Sequence, residues 1–112
     1  MDFDIVGFGT LAIDDYLCVS SFPKPDQKAL VLKKWRECCG MVGTARAAAA
    51  HLGVKCAYGG IIGNDNLSQA LIEELQRHDI ETSHAFVIRG GDPVHSIIVA
   101  DKTNHTRNIF YT

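Results

Sequence analysis

A short alanine-rich segment framed by glycines constrains the fold of this sequence more than any other feature. Four consecutive alanines at 47–50 lie between Gly40 and Gly53. Alanine is the best helix former, so the pattern predicts a helix over 44–52, with Thr44 as its N-cap and Gly53 as the left-handed residue after its last turn. Glycine at the opening of a helix lets a small polar ligand approach the backbone, where the first N–H groups are unpaired.

Strands and helices alternate along most of the chain. Three apolar runs predict strands, at 3–8, 54–62 and 83–88. Between the last two runs, apolar residues at helical spacing predict a second helix, capped by Asp65 or Asn66 and ending near His78. Alternation of strands with helices favours an α/β fold with a parallel sheet and right-handed crossovers.

Two extended segments interrupt this alternation. The first has strand-like residues at 16–19 and 29–35 on either side of a proline-containing turn at 23–26. The second is typical of a β-hairpin, because apolar runs at 94–100 and 107–111 flank a polar tip. Neither segment fits a plain parallel sheet, so we expect the two to pair with each other as a second, smaller sheet.

The composition argues against several classes of function. The chain has 112 residues and a formal net charge of −2, which gives no reason to expect a nucleic acid or an anionic membrane as partner. It has no run of about 20 apolar residues, and its acidic start is unlike a signal peptide. The four cysteines and five histidines do not stand at metal-site spacing, so we expect no metal site. Nothing in the sequence marks secretion, so we expect reduced thiols and a cytoplasmic location.

One further motif points to a different class of protein. Residues 7–12 match the G-x-G-x-x-A form of a dinucleotide-binding turn. That turn requires a helix directly after it, whereas β-branched and aromatic residues follow here, and then prolines. The simpler interpretation is a glycine-rich strand end, with an NAD-binding domain as an alternative.

Taken together, these patterns resemble the N-terminal part of the ribokinase-like (PfkB) family of sugar and nucleoside kinases. The resemblance rests on residues 6–9 followed by Asp14, and on residues 21–25. It rests also on the glycine turn and alanine-rich helix, with Gly63 ten residues beyond Gly53, and on a hairpin that ends with residues 107–111. It covers essentially the whole chain, which corresponds to roughly the N-terminal third of such a kinase.

The resemblance implies a single α/β domain segment over 1–112. Its core would be a parallel sheet with flanking helices, formed by about 3–13 and 40–90. A small β-sheet lid over the substrate would be formed by about 14–39 and 91–112.

The resemblance also implies a substrate site. Asp14 would accept hydrogen bonds from sugar hydroxyls, and Gly40 would belong to the glycine turn at the site. Thr44 occupies the position usually held by a sugar-binding asparagine. Alternation on the hairpin would place His95, Ile97 and Val99 on one face, and one of the two hairpin faces would close over the substrate. His95 and Ile97 are the candidate substrate-binding residues of the hairpin.

Three positions depart from the family pattern, the first being Cys39, which precedes Gly40 where two adjacent glycines are usual. Thr44 offers one hydroxyl where asparagine offers both an amide donor and a carbonyl acceptor. Arg46 stands where a small residue is usual. We interpret Arg46 as a surface arginine, with contact to an anionic substrate group as the alternative.

The activity implied is ATP- and Mg²⁺-dependent transfer of a phosphoryl group to a hydroxyl of a small sugar or nucleoside. In such kinases the glycine-rich anion hole, the catalytic aspartate and the ATP site belong to the second half of the chain. The similar run Gly90-Gly91-Asp92 is followed by Pro93 and is typical of a turn. We therefore expect no catalytic or cofactor-binding residue in this chain, which alone would be an inactive fragment of a longer kinase or a truncated gene product. The alternative is a stand-alone module, derived from such a kinase, that binds a small molecule or forms a homodimer through its lid strands.

Overall fold

The computed structural model describes residues 2–38 and 40–112, which form two compact units. The α/β unit contains the residues up to Ile13 together with Cys38–Val94. The sheet unit contains Asp14–Glu37 and His95–Thr112. The expectation of a reduced thiol at Cys39 lies outside the described residues.

The order of elements is that of an α/β chain with extended insertions. In chain order they are β1 (Ile5–Gly7), β2 (Ala12–Val19), β3 (Lys33–Cys38), α1 (Gly40–His51), β4 (Cys56–Tyr58), β5 (Ile61–Ile62), α2 (Asn66–Arg77), β6 (Phe86–Val87), β7 (Val94–Asp101) and β8 (Thr106–Tyr111). Within the described residues, no helix is long and apolar enough to cross a lipid bilayer.

The strands of the α/β unit pair in parallel, as predicted. Strand β1 pairs with β4, and β5 pairs with β6. The single strand predicted over 54–62 is wrong in one respect, because Gly59 and Gly60 separate it into β4 and β5. A Cβ on Gly60 would overlap the ring of Tyr58, whose hydroxyl donates a hydrogen bond of 2.9 Å to the Gly9 carbonyl. The buried tyrosine therefore fixes the break between the two strands.

The core of the α/β unit lies between its strands and one face of α2. Leu71 and Leu75 of α2 are fully buried, and Leu67 and Ala70 pack partly buried against the core, so the predicted apolar stripe is confirmed. The buried cluster comprises Leu11, Ile13, Cys56, Tyr58, Ile62, Leu71, Leu75 and Ile80. Burial without a charge partner raises the pKa of the Tyr58 hydroxyl.

Helix α1 begins earlier than the sequence pattern predicts. The expectation that Thr44 caps it is wrong, because the helix starts at Gly40 and Thr44 is an exposed residue of its second turn. Propensity alone favours a start after the glycines, since glycine is a poor helix former. Packing of Gly40 against the backbone of residues 10–12 overrides that preference.

The other predicted helix ends are confirmed. Gly53 adopts φ +85° after the last turn of α1, and its N–H donates to the Ala50 carbonyl at 2.9 Å. Asp65 caps α2, because its carboxylate accepts a hydrogen bond of 2.9 Å from the backbone N–H of Ser68. Local side-chain and glycine chemistry was therefore sufficient to place these ends.

The sheet unit is built on a four-stranded sheet with the strand order β3-β2-β7-β8. The prediction that the two extended segments share a small sheet is confirmed. Strands β7 and β8 form an antiparallel hairpin in which Ile97 is opposite Phe110. The predicted bounds of the first segment are wrong, since β2 begins at Ala12 and β3 begins only at Lys33.

Asp101 organises the tip of the hairpin. Its carboxylate accepts hydrogen bonds from the backbone N–H groups of Phe22 and Asn104, at 2.9 and 2.8 Å. These bonds, led by the one from Phe22, lower the pKa of Asp101 to about 2. A charged carboxylate with satisfied oxygens thus ties the hairpin to the preceding segment.

Candidate functional site

The opening of α1 lies against the loop that follows β1. Gly40 has φ +66°, and a Cβ at this position would lie 2.9 Å from the Ala12 nitrogen and 3.0 Å from the Thr10 carbonyl oxygen. Glycine is required here both for the left-handed conformation and for the close backbone approach. The predicted glycine turn is thus the first turn of the helix, and it lies beside the carboxyl end of β1.

A second glycine contact lies at the carboxyl end of β5. A Cβ on Gly63 would overlap the Gly91 carbonyl, so the two backbones touch. The backbone N–H of Gly90 donates to the Asn64 side chain at 3.0 Å, and that of Gly91 donates to the Ile88 carbonyl at 3.2 Å. The interpretation of Gly90 and Gly91 as a turn is confirmed. Both glycine contacts lie where open α/β sheets bind their ligands, at the carboxyl ends of parallel strands.

Asp14 presents an unpaired carboxylate on one face of the sheet unit. It is half-buried and makes no hydrogen bond or ion pair within residues 2–38 and 40–112. Two residues along β2, the ring of Tyr16 stacks on Trp35 with a centroid separation of 4.9 Å and an interplanar angle of 4°. Burial, together with the nearby carboxylates of Glu37 and Asp14, raises the pKa of Tyr16. A free acceptor therefore stands beside a flat aromatic surface.

The neighbouring Asp15 belongs to a closed polar cluster. Arg36 donates from Nε and Nη2 to its two carboxylate oxygens, at 2.7 and 2.9 Å, and His95 Nε2 lies 2.7 Å from Oδ2. These contacts, led by the hydrogen bonds from Arg36, lower the pKa of Asp15 to about 2. Its oxygens are occupied, so Asp15 has little capacity left to bind a ligand.

The structure does not bring all the predicted site residues together. Successive side chains of a strand point to opposite faces, so Asp14 and Asp15 are on different faces of the sheet. His95 contacts Asp15, which places His95 and Ile97 on the face opposite Asp14. The residues of β7 that alternate with His95 and Ile97 lie on the Asp14 face. They include Ser96 and Ile98, which are both buried.

Sequence reasoning missed the aromatic pair and the Asp15 cluster. The signal was present in the adjacent acids at 14 and 15, because two consecutive carboxylates in a strand cannot face the same ligand. Which one is paired depends on Arg36, and its register against β2 is not visible in the sequence. Gly40 and Thr44 lie in the α/β unit, and the other predicted site residues lie in the sheet unit.

The histidines are spread over the chain, and two of them contact each other. Within the described part of the chain, no group of three or more His, Cys, Asp or Glu side chains is placed to hold a metal ion. His51 Nε2 and His78 Nδ1 lie 3.1 Å apart and join the C-terminal ends of α1 and α2, and His78 also contacts Glu74. This network serves helix packing in the α/β unit.

Comparison with solved structures finds the same fold in sugar and nucleoside kinases. Thermotoga maritima ribokinase is 26% identical with a TM-score of 0.78, over 99% of this chain and 36% of that one. Arabidopsis thaliana ribokinase, solved with ribose and ATP, is 16% identical with a TM-score of 0.83, over 100% of this chain and 36% of that one. Burkholderia thailandensis nucleoside kinase, solved with inosine, is 18% identical with a TM-score of 0.77, over 96% of this chain and 35% of that one.

These matches establish the fold and its extent. No protein-family model matches the sequence, and no curated protein matches it. The chain spans about a third of the length of the solved structures above. It has the predicted ribokinase-like (PfkB) fold and corresponds to the N-terminal part of that fold.

Proposed function

We propose that this chain is the substrate-binding part of an ATP-dependent kinase that phosphorylates a hydroxyl of a sugar or nucleoside. The observation that carries the proposal is the unpaired, half-buried carboxylate of Asp14 beside the Tyr16–Trp35 stack. A carboxylate accepts two hydroxyl hydrogen bonds, and an aromatic face packs well against a sugar ring or a base. The fold shared with ribokinases and a nucleoside kinase supports the same assignment.

The other residues take different parts in this proposal. Gly40 allows the backbone of the α1 start to approach the ligand, and the exposed Thr44 hydroxyl offers one hydrogen bond. His95 acts through Asp15, since it is bonded to that carboxylate and faces away from Asp14. Ile97, on the same face as His95, is assigned to packing rather than to the substrate.

The cofactors belong to the intact kinase. ATP with Mg²⁺ would supply the phosphoryl group and neutralise the charge that develops on it. No residue of this chain is assigned to either, so we propose that the chain alone binds substrate without transferring phosphate, as a cytoplasmic protein or as part of one.

Binding of the chain to a panel of neutral ligands tests the proposal. We expect ribose, fructose, adenosine or inosine at millimolar concentration to raise the melting temperature, because a ligand of the native state stabilises it. Replacing Asp14 by Asn should weaken the binding of that ligand by about tenfold or more, since hydrogen bonds to a charged group contribute about 1.5–3 kcal/mol. The matched control is Asp26→Asn, at an exposed turn of the same unit.

Two outcomes would count against this function. One is a panel in which no sugar or nucleoside shifts the melting temperature of the wild-type chain. The other is that the ligand binds the wild type and the Asp14→Asn variant with equal affinity, which would show that Asp14 does not bind it. The coding sequence beyond Thr112 gives an independent check, because a kinase requires a glycine–aspartate anion-hole motif there.

A second candidate is a module that dimerises through the sheet unit. Strand β8 is at the edge of the sheet, and Ile109, Phe110 and Tyr111 on it are all exposed, Tyr111 by 77%. An edge strand with exposed apolar side chains is a template for pairing with a second chain. Sedimentation velocity over a range of concentrations should then show a dimer that Phe110→Lys weakens, and a monomer at every concentration excludes it.

A further inference from the structure

Arg46 is a charged residue without a partner among the residues that the structure describes. It lies in the second turn of α1, is half-buried, and makes no hydrogen bond or ion pair within residues 2–38 and 40–112. Its Nε is fully buried and has no acceptor. The interpretation of Arg46 as an ordinary surface arginine does not fit these surroundings.

The lack of an acceptor is physically unfavourable. The guanidinium of arginine is a cation with five N–H donors in a fixed plane and no acceptor. Buried polar groups in native proteins almost always find a hydrogen-bond partner, and buried charges are paired. The two terminal nitrogens are not among the buried unpaired atoms, so an acceptor that arrives with a ligand would pair with the guanidinium there.

The backbone beneath Arg46 leaves room for its side chain. The side chain lies across Gly7, the last residue of β1, where any Cβ would collide with Nε, Cδ and Cζ of Arg46. A residue other than glycine at this position would therefore displace the guanidinium. This role of Gly7 fits the interpretation of the 7–12 motif as a glycine-rich strand end.

The location of the guanidinium is that of a ligand site. Side chains of a helix lean toward its N-terminus, so Arg46 points back toward Gly40. Gly40 in turn touches the loop after β1, and β1 ends at Gly7. Arg46 is therefore directed to the carboxyl end of a parallel strand, where ligands of α/β proteins bind.

We propose that Arg46 binds an anionic group of the substrate, either a phosphate or a carboxylate. The preferred substrates would then be phosphorylated or acidic sugars, or nucleotides, rather than neutral sugars and nucleosides. This inference rests on the proposed function for the identity of the ligand. The planar fork of arginine matches both anions in bidentate geometry, which lysine does not reproduce.

The first experiment follows the Nε–H proton of Arg46 by ¹H–¹⁵N NMR. Inorganic phosphate, compared with chloride at the same ionic strength, should shift this resonance in a saturable manner. Arg77 is the internal control, because it is exposed and already paired with Glu74. An Arg46 resonance that does not move, or that moves in parallel with Arg77, overturns the inference.

The second experiment compares ribose with ribose 5-phosphate. The wild-type chain should bind the phosphorylated sugar at least tenfold more tightly. Arg46→Met keeps the length of the side chain and should abolish that preference, while affinity for ribose stays unchanged. Arg46→Lys keeps the charge but not the planar guanidinium, so it should retain part of the preference for ribose 5-phosphate. This variant provides the test if the Met variant fails to fold.

The outcomes separate this inference from the proposed function. If ribose binds and the preference for ribose 5-phosphate is the same in wild type and variants, the inference is wrong and the kinase proposal stands. If phosphate shifts the Arg46 resonance but no sugar or nucleoside binds, the anion site stands and the proposed function is wrong.

Discussion

The α/β unit and the sheet unit are stabilised in different ways. In the α/β unit, Tyr58, Leu71 and Leu75 are fully buried within one apolar cluster. Of the buried apolar residues that the structure describes, only Val19 and Ile98 lie in the sheet unit. That unit instead relies on its strand pairing, an aromatic stack and the paired carboxylates of Asp15 and Asp101. Apolar alternation predicted strands in both units, but it did not predict which unit would have a core.

The parallel strands also leave apolar side chains uncovered. Phe8 is exposed by 69% and Phe86 by 70%, and Val6, Ile61 and Ile88 are exposed as well. Parallel sheets are normally covered on both faces, so these residues form an apolar surface that the described residues leave uncovered. An antiparallel hairpin tolerates one solvated face, which makes the same degree of exposure less unfavourable in the sheet unit.

The largest expected effect is loss of core packing in the α/β unit. Replacing Leu71 by Ala should reduce the free energy of unfolding by about 2–5 kcal/mol, because it removes buried contacts and leaves a cavity. The half-exposed Ile97 of the sheet unit is the control, and Ile97→Ala should cost less than about 1 kcal/mol. Urea denaturation measures both when it is followed by far-UV circular dichroism, which reports on α1 and α2 of the α/β unit, and by fluorescence of Trp35, which lies in the sheet unit. Equal losses would contradict the contrast drawn between the units.

The next effect concerns two glycines at opposite ends of α1. Gly40 and Gly53 both have positive φ, but a Cβ on Gly40 meets the backbone of 10–12, whereas one on Gly53 meets nothing within 4 Å. Gly53→Ala should cost about 1–2 kcal/mol, the usual penalty for the left-handed conformation. Gly40→Ala should cost more, because the backbone contact must also be relieved. If thermal unfolding gives equal losses, the loop after β1 is free to move away from the helix.

These two glycines also show how far the sequence determines the fold. Gly53 is predicted correctly and Asp65 is one of the two predicted caps, because helix ends depend on local chemistry within a few residues. The start of α1 was misplaced because it depends on contact with a loop nearly thirty residues earlier in the chain, which no local propensity encodes. The parallel order of the strands was predictable, since it follows from alternation with helices and the handedness of crossovers.

The candidate site was predicted less well, for a similar reason. Asp14 and Gly40 were named because a family resemblance aligns them along the chain. Asp14 and His95 lie on opposite faces because the cross-strand register of β2 and β7 sets the face of each side chain, and that register is not visible in the sequence. Arg46 was undervalued because its burial follows from the missing side chain of Gly7, which is distant in sequence.

The smallest expected effect is the acid sensitivity of the sheet unit. Asp15 and Asp101 both have pKa values lowered from 3.8 to about 2, chiefly by hydrogen bonds from Arg36 and from the Phe22 backbone, respectively. Since the folded pKa lies below the unfolded one, these carboxylates contribute stability above about pH 4, and the contribution is lost as the pH falls toward 2. Fluorescence of Trp35, the single tryptophan, reports on this unit.

Two variants and one control variant decide whether the paired carboxylates are the cause of that sensitivity. Asp15→Asn should lower stability at neutral pH and flatten the dependence between about pH 4 and 2, because the group that titrates is gone. Asp26→Asn, at an exposed turn of the same unit, should leave both the midpoint and the slope unchanged. The slope that persists in Asp15→Asn is then due to Asp101, and Asp101→Asn should remove it. A sheet unit that keeps the wild-type acid profile in both the Asp15 and Asp101 variants would show that strand pairing alone stabilises it, without its charged groups.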